Sequence, residues 1–371
     1  MKFLFVLLLF SAAVILHGSD FKINIVNNSS GVISGFPVVS RIGEIGAEGD
    51  FNAVTVKDHS GKTLAGQFDD LDNDGKAGKD DEIAFPADLH PGNNFFTVSF
   101  SRQTPVLPAG KADKSQELSA ENRSVKVSVH RQKPLLRRFF CLKDGKWQCV
   151  AGAFVLEPRM DNSWKWKNSS FRVNVVSAGK VRSVIRCELV KKGTDNGKTV
   201  RIINDLSVFN GRNEILSKFI FVNDTANQLV QINTVNTGMY QVLAEGEIPA
   251  GTIRFAGTLQ NGRISEGTVD SGSFLLRRPA AGQDIWLDTF AAAYGFGVVL
   301  ADHAKVDNLL ARYIAKSRSL RVSALFRLEN SVLWPGKSAE FDMWMIPYAG
   351  TPGAVKDFSG NIRNIKVEYS K

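Results

Sequence analysis

Between residues 181 and 222 the chain alternates with a period of two, which commits this stretch to antiparallel sheet rather than helix. Val181, Ser183, Ile185, Cys187 and Leu189 share one parity, while Arg182, Arg186 and Glu188 share the other with Val184. Alternation of this kind sets the first group on a buried face and the second on a mostly wetted one. Asp195, Asn196 and Gly197 turn the chain into Val200, Ile202, Asn204, Leu206 and Val208, and Asn210 with Gly211 turns it again into residues 215–222. Such dipeptides close tight hairpins because both turn residues tolerate a positive φ. The pattern predicts a meander, and a meander needs a second layer to bury its apolar face.

The same style runs through most of the chain. Phe21, Ile23 and Ile25 alternate with polar neighbours, residues 51–56 end at a turn around Ser60 and Gly61, and strand-like runs recur at 252–255, 273–276, 285–290, 295–300, 320–327 and 339–346. One segment departs: Val306, Leu309, Leu310, Tyr313 and Ile314 recur at helical spacing after Asp302, which predicts a short helix. Pro105, Pro108, Gly110 and the polar run 111–117 have linker composition. The expected class is therefore all-β: a smaller N-terminal β-unit over residues 20–104, a linker over 105–122, and a large antiparallel two-sheet unit over 123–371.

Residues 1–19 read as a secretory leader, since Met1 and Lys2 precede an apolar run at 3–16 that Gly18, Ser19 and Asp20 end. That run is shorter than the roughly 18 to 20 residues a bilayer-spanning helix needs. The expectation is a periplasmic or extracellular protein with no integral membrane association once the leader is removed. The formal charge is +9, yet the basic residues are scattered along strands. Together with export this argues against nucleic acid, and an acidic polysaccharide or oligosaccharide fits the charge better, beside the plain alternative of a solvated basic surface.

Cys141 and Cys149 flank a hairpin whose turn is Asp144 and Gly145, so a disulfide between them is expected in an oxidising compartment. Cys187 sits on the apolar parity and is expected as a buried thiol. Asp70, Asp72 and Asp74 followed by Gly75 open like a calcium loop, in which alternate oxygens wrap the ion and glycine permits the sharp turn. Asp81 takes the twelfth position and Glu82 follows it. Two readings stand, a calcium-stabilised β-loop and an acidic hairpin turn that binds nothing.

Acid–base candidates are few. Besides His17 in the leader the histidines are His59, His90, His130 and His303, and no nucleophile elbow, zinc motif, phosphate loop or Cys-x-x-Cys pair is present. His130 leads into Arg131, Arg137 and Arg138, a stretch that would neutralise a uronate carboxylate while His130, Tyr240, Tyr294 or His303 exchanged the α-proton in a β-elimination. Trp164 and Trp166 share a parity and would suit stacking on sugar rings. A basic strand edge and ordinary core tryptophans are the structural alternatives.

Residues 67–75 and 81–92 together resemble the N-terminal part of a domain family found in secreted glycan-degradation systems. Residues 181–186, 200–208, 214–222 and 335–341 are similar in order to the strands of galactose-mutarotase-like supersandwiches. The resemblance implies a β-supersandwich that holds a saccharide on a concave sheet. The mutarotase Asn-x-Leu-His-Gly-Gly segment is missing, which argues against sugar epimerisation. Three functions follow as expectations: a polysaccharide lyase acting on uronate-containing glycan, a non-catalytic glycan-binding protein of the envelope, and a structural envelope module.

Overall fold

The structure is a computed structural model that describes residues 20–102, 116–133, 136–161, 165–194, 196–241, 254–258, 263–268, 273–277, 283, 285–291, 293–301, 305–314, 319–327, 332–350 and 353–370. The small unit is built from β1 (Phe21–Asn27), β2 (Ile33–Arg41), a single turn α1 (Ile42–Ile45), β3 (Ala53–Asp58), β4 (Thr63–Leu64), β5 (Gln67–Asp69), β6 (Glu82–Leu89) and β7 (Gly92–Ser101). Within the stretch expected as linker, β8 (Glu117–Glu121) is a strand of the large unit; β9 (Val125–His130), β10 (Arg137–Lys143), β11 (Lys146–Met160) and β12 (Trp166–Ala178) follow. The meander is β13 (Arg182–Gly193), β14 (Thr199–Phe209) and β15 (Ile215–Asn223), and β16 (Val230–Gln241) crosses to the other sheet. The remainder is β17 (Arg254–Thr258), β18 (Ile264–Thr268), β19 (Ser273–Arg277), β20 (Ile285–Ala291), β21 (Tyr294–Leu300), β22 (Val306–Ile314), β23 (Ser319–Phe326), β24 (Val332–Leu333), β25 (Ser338–Ala349), α2 (Ala354–Arg363) and β26 (Ile365–Ser370).

Two nine-stranded antiparallel sheets form the sandwich. The inner sheet runs β12-β13-β14-β15-β25-β21-β20-β17-β18, and the outer sheet runs β19-β22-β23-β16-β11-β10-β9-β8 with β24 beside β16. Phenylalanines fill the space between them: Phe154 stacks on Phe219 at 5.8 Å, and Phe326 on Phe341 at 3.8 Å. The small unit contributes a five-stranded sheet, β26-β1-β7-β3-β4, and a three-stranded one, β2-β6-β5. Its edge strand β26 comes from the far end of the chain and pairs antiparallel with β1.

Three expectations are corrected. The 306–314 segment is strand β22, paired along its length with β23, because Val306, Leu309 and Ala311 pack between the sheets and tertiary pairing overrides the weak helical spacing. The face of β13 expected to be wet is covered: Arg182 is 1% exposed, because the small unit docks on that side of the inner sheet. Phe209, Leu216, Trp344 and Ile346 on this second face join Ile23, Phe36 and Phe85 in one continuous core. The third concerns the cysteines, which are free thiols. Asp144 and Gly145 both have positive φ, 50° and 74°, and their two-residue turn pairs Cys141 with Gln148 and Phe140 with Cys149. Cys149 therefore lies one position past the partner of Cys141 and points to the opposite face of the ribbon.

The buried charges at the junction are paired across it. Arg182 donates from Nε to Asp69 (2.8 Å), from Nη2 to Glu82 (2.7 Å) and from Nη1 to Ser207 (3.2 Å). Lys218 donates to the other oxygen of Glu82, and Arg186 forks onto both oxygens of Asp205 while bonding the Leu71 carbonyl at 2.6 Å. Gln67 completes the seam by accepting from the Val181 amide (2.8 Å) and donating to the Arg182 carbonyl (2.9 Å).

Candidate functional site

The aspartate turn gathers its carboxylates. One oxygen each from Asp70, Asp72 and Asp74 lies within 4.8 Å of the others. Asn73 (φ 59°) and Gly75 (φ 79°) supply the left-handed positions that curl the loop, and Asp70 accepts from the amides of Asp74 and Gly75. Burial, with a contribution from Asp72, raises the Asp70 carboxyl above its ordinary value. Asp81 is buried beneath the turn and accepts from the Leu71 and Gly78 amides at 2.7 and 2.8 Å; burial and then the charges of Asp70 and Asp72 push it up to about 6. Crowded carboxylate oxygens of this kind suit a hard divalent cation. Glu82 does not belong to the set. It is turned into the junction, where Lys218 and Arg182 overcome the effect of burial and hold it at about 2.

The basic stretch near His130 is divided by the pleat. Arg137 points inward, donates to Asn204 of the facing sheet and sits 4.2 Å over the Phe154 ring, and burial lowers its pKa. Arg138 points outward and pairs with Glu117. Arg131 is half-buried just past the end of β9. His130 is 8% exposed and its Nδ1 accepts the Gln132 amide at 3.1 Å.

The catalytic candidates do not all meet. His130 adjoins Leu136 at the start of β10, whereas Lys143 at the end of that strand lies 5.0 Å over the Tyr294 ring. The intervening strand separates His130 from Tyr294 by about 20 Å. His303 and Trp164 lie outside the described residues, and Trp166 is packed against the sandwich core with its indole N–H on the Met160 carbonyl (3.3 Å), not free as a stacking platform.

Register creates a different constellation on the face of the outer sheet turned away from the sandwich core. Reading directly across it, Ser128 pairs with Arg138, Arg138 with Gly152, Gly152 with Tyr240, Tyr240 with Arg321, and Arg321 with Arg312. Directly paired positions share a face, so Arg138, Arg321 and Arg312 form one line spanning about 19 Å across five strands. The next line is low, with Val155, Gly238 and Ser323, and a Cβ at Gly238 would run into the Val322 carbonyl. Beyond it Glu157 pairs with Asn236, which donates to it at 2.9 Å. Arg321 lies 3.6 Å from Glu157, and its Nε and Nη2 make no hydrogen bond. The arrangement is a shallow trough of small residues flanked by guanidinium groups, able to hold carboxylates while ring faces pass over the glycines.

Arg312 and Arg321 were missed from sequence. Their outward direction was legible, since Arg321 stands between inward-pointing Leu320 and Val322 and Arg312 follows buried Ala311. Their adjacency to Arg138 was not, because it arises from pairing between strands far apart in the chain.

No protein-family model matches the chain, and no curated protein matches it. Solved structures resemble it in shape. A protein in glycosyl hydrolase family 38 from Enterococcus faecalis superposes with a TM-score of 0.52 at 8% identity, over 95% of this chain and 47% of that one. An alpha-mannosidase from Enterococcus faecalis V583 superposes with a TM-score of 0.50, also at 8% identity, over 95% and 46%. The likeness is one of fold, and the chain spans about half the length of those proteins.

Proposed function

We propose that this chain is an exported carbohydrate-binding protein whose outer sheet holds an acidic, uronate-containing glycan along the line of Arg138, Arg321 and Arg312. The observation that carries the reading is the register itself, which sets three arginines in one row beside small residues on the face of the outer sheet turned away from the sandwich core. Guanidinium forks match carboxylates in geometry as well as charge. Support also comes from the two glycan-hydrolysing proteins that share the fold. Export, to the periplasm or outside the cell, is supported by the leader-like pattern of residues 1–19. The aspartate turn would carry a structural calcium ion through Asp70, Asp72 and Asp74, with Asp81 supporting it from below.

A second reading, β-elimination by a lyase, is favoured by one observation: Tyr240 occupies the register position between Gly152 and Arg321 in the same row. Tyrosine at that register position is a residue type able to act as base on a uronate whose carboxylate the arginines hold.

Affinity electrophoresis and calorimetry with polygalacturonate, alginate and neutral mannan test both readings. Wild type is expected to bind an acidic polymer, with affinity falling as salt rises, and the double variant Arg138→Ala, Arg321→Ala to lose at least about tenfold. Equal retention of neutral mannan, or no binding to any polymer, rejects the assignment. Ultraviolet absorbance of unsaturated product, lost in Tyr240→Phe, separates the lyase from the binding protein.

A further inference from the structure

At the junction of the two units lies a cavity of about 410 Å³, bounded by β1, β2 and β26 of the small unit, by α2, and by β15, β20, β21 and β25 of the inner sheet. It is on the opposite side of the inner sheet from the sandwich core, and so far from the arginine row. Ile25, Phe36, Leu216, Trp344 and Ile362 give it apolar walls. Three charged residues line it: Arg363 from α2, and Lys218 and Asp342, which are paired in register on adjacent strands. Their roles differ. Lys218 is committed to Glu82, whereas Asp342 Oδ1 is shielded from solvent and has no hydrogen-bond donor in the protein. A buried acceptor left unpaired is costly, and such groups are retained where something else supplies the donor.

The charges around the cavity define what that donor is. Arg41, Lys218 and Arg363 stand against Glu82, Glu340 and Asp342, so the surroundings are close to balanced and favour neither a cation nor an anion. Apolar walls with a single strong acceptor call for a molecule having both a C–H face and hydroxyl groups. The volume lies within the range of small-ligand pockets.

We propose that this cavity binds a small, neutral, polyhydroxylated ring compound of mono- to disaccharide size, anchored by a hydroxyl that donates to the Asp342 carboxylate. The site is separate from the glycan row, and neither requires the other. Burial raises the Asp342 carboxyl to about 6, with Lys218 and Arg41 opposing that rise and Glu340 and Glu82 adding to it. Protonation would turn the acceptor oxygen into a weaker partner, so binding falls as the pH drops below that value.

Saturation-transfer NMR on the chain from residue 20 onward tests this with D-galactose, D-glucose, D-mannose, L-rhamnose and cellobiose, beside D-glucuronate and D-glucosamine as charged controls. At least one neutral sugar is expected to bind wild type. Asp342→Asn, which keeps the shape of the side chain and removes a buried charge, is expected to weaken that binding about ten- to hundredfold. Ile362→Trp, which fills the cavity from α2, is expected to abolish it, with circular dichroism and thermal melting confirming that both variants are folded. The Arg138→Ala, Arg321→Ala variant is expected to bind the neutral sugar as wild type does. Binding of none of the neutral sugars, binding of the charged controls alone, undiminished binding in Asp342→Asn, or loss in the arginine variant would each overturn the proposal. Failure of the wild type to bind any acidic polymer, with neutral-sugar binding intact, would reject only the reading of the outer sheet.

Discussion

Arg182 shows how a residue that reads as surface becomes a structural pivot. It lies on the polar parity of β13, yet it is buried under the small unit and its charge is met by Asp69 and Glu82. Removing one member of such a set leaves an unpaired charge in a dry environment, which typically costs about 3–5 kcal/mol. The carboxyls of this chain also make its stability depend on pH in two opposed ways. Burial raises Asp342 to about 6 and Asp288 to about 7, Asp288 being opposed by the hydroxyl of Tyr348, which donates to both its oxygens. The folded chain then holds these protons more tightly than the unfolded one, so stability rises as pH is lowered from 7 to 5, by something on the order of 3 kcal/mol for the two groups together. Glu82 acts in the other direction: held at about 2, it stabilises fully above its unfolded pKa, and that contribution is lost as pH falls toward 2. Urea unfolding between pH 7 and 5 is expected to show the rise, and Asp288→Asn to reduce it while Asp342 and Asp81, both raised to about 6, keep part of it. A profile that falls over this window would contradict the assignment of both buried aspartates.

At the scale of elements, the β5–β6 connection and the β10–β11 hairpin both depend on residues with positive φ, and they use them differently. In the hairpin, Asp144 and Gly145 set a register that separates Cys141 from Cys149. In the aspartate turn, Asn73 and Gly75 bend the chain so that three carboxylates converge above buried Asp81. With calcium bound there, β5 and β6 would be held at the height where Asp69 and Glu82 reach Arg182. Added calcium is expected to raise the melting temperature by several degrees, consistent with binding to the folded state alone. The chelated protein, and the Asp72→Asn, Asp74→Asn variant with or without calcium, should melt together at the lower temperature; a variant that still responds would place any calcium elsewhere.

For the whole molecule, the decisive fact is that the small unit is not made from contiguous chain. β26 closes its sheet against β1, α2 packs on β20 and β21, and the inner sheet is buried on both faces. Residues 117–371 expressed alone are expected to expose Phe209, Leu216, Trp344 and Ile346 together with the unpaired charge of Arg182, and therefore to bind a hydrophobic dye and aggregate. Co-expression of residues 20–102 should restore a soluble, dye-free complex; a stable, dye-free 117–371 would show that the units fold independently. The division of labour between sequence and tertiary structure follows from the range of the interactions. Period-two alternation and Asp-Gly or Asn-Gly turns are local, and they were enough to establish an all-β chain, the meander of β13 to β15 and the aspartate turn. Which faces are covered is a long-range matter. Only docking of the small unit decided that Arg182 and Lys218 are interior, only pairing of β16 with β11 and β23 decided that Arg138, Arg321 and Arg312 share a row, and only the strand partner of 306–314 decided against a helix. Parity along one strand says which residues point together, but the identity of their neighbours is written in pairings between segments distant in sequence.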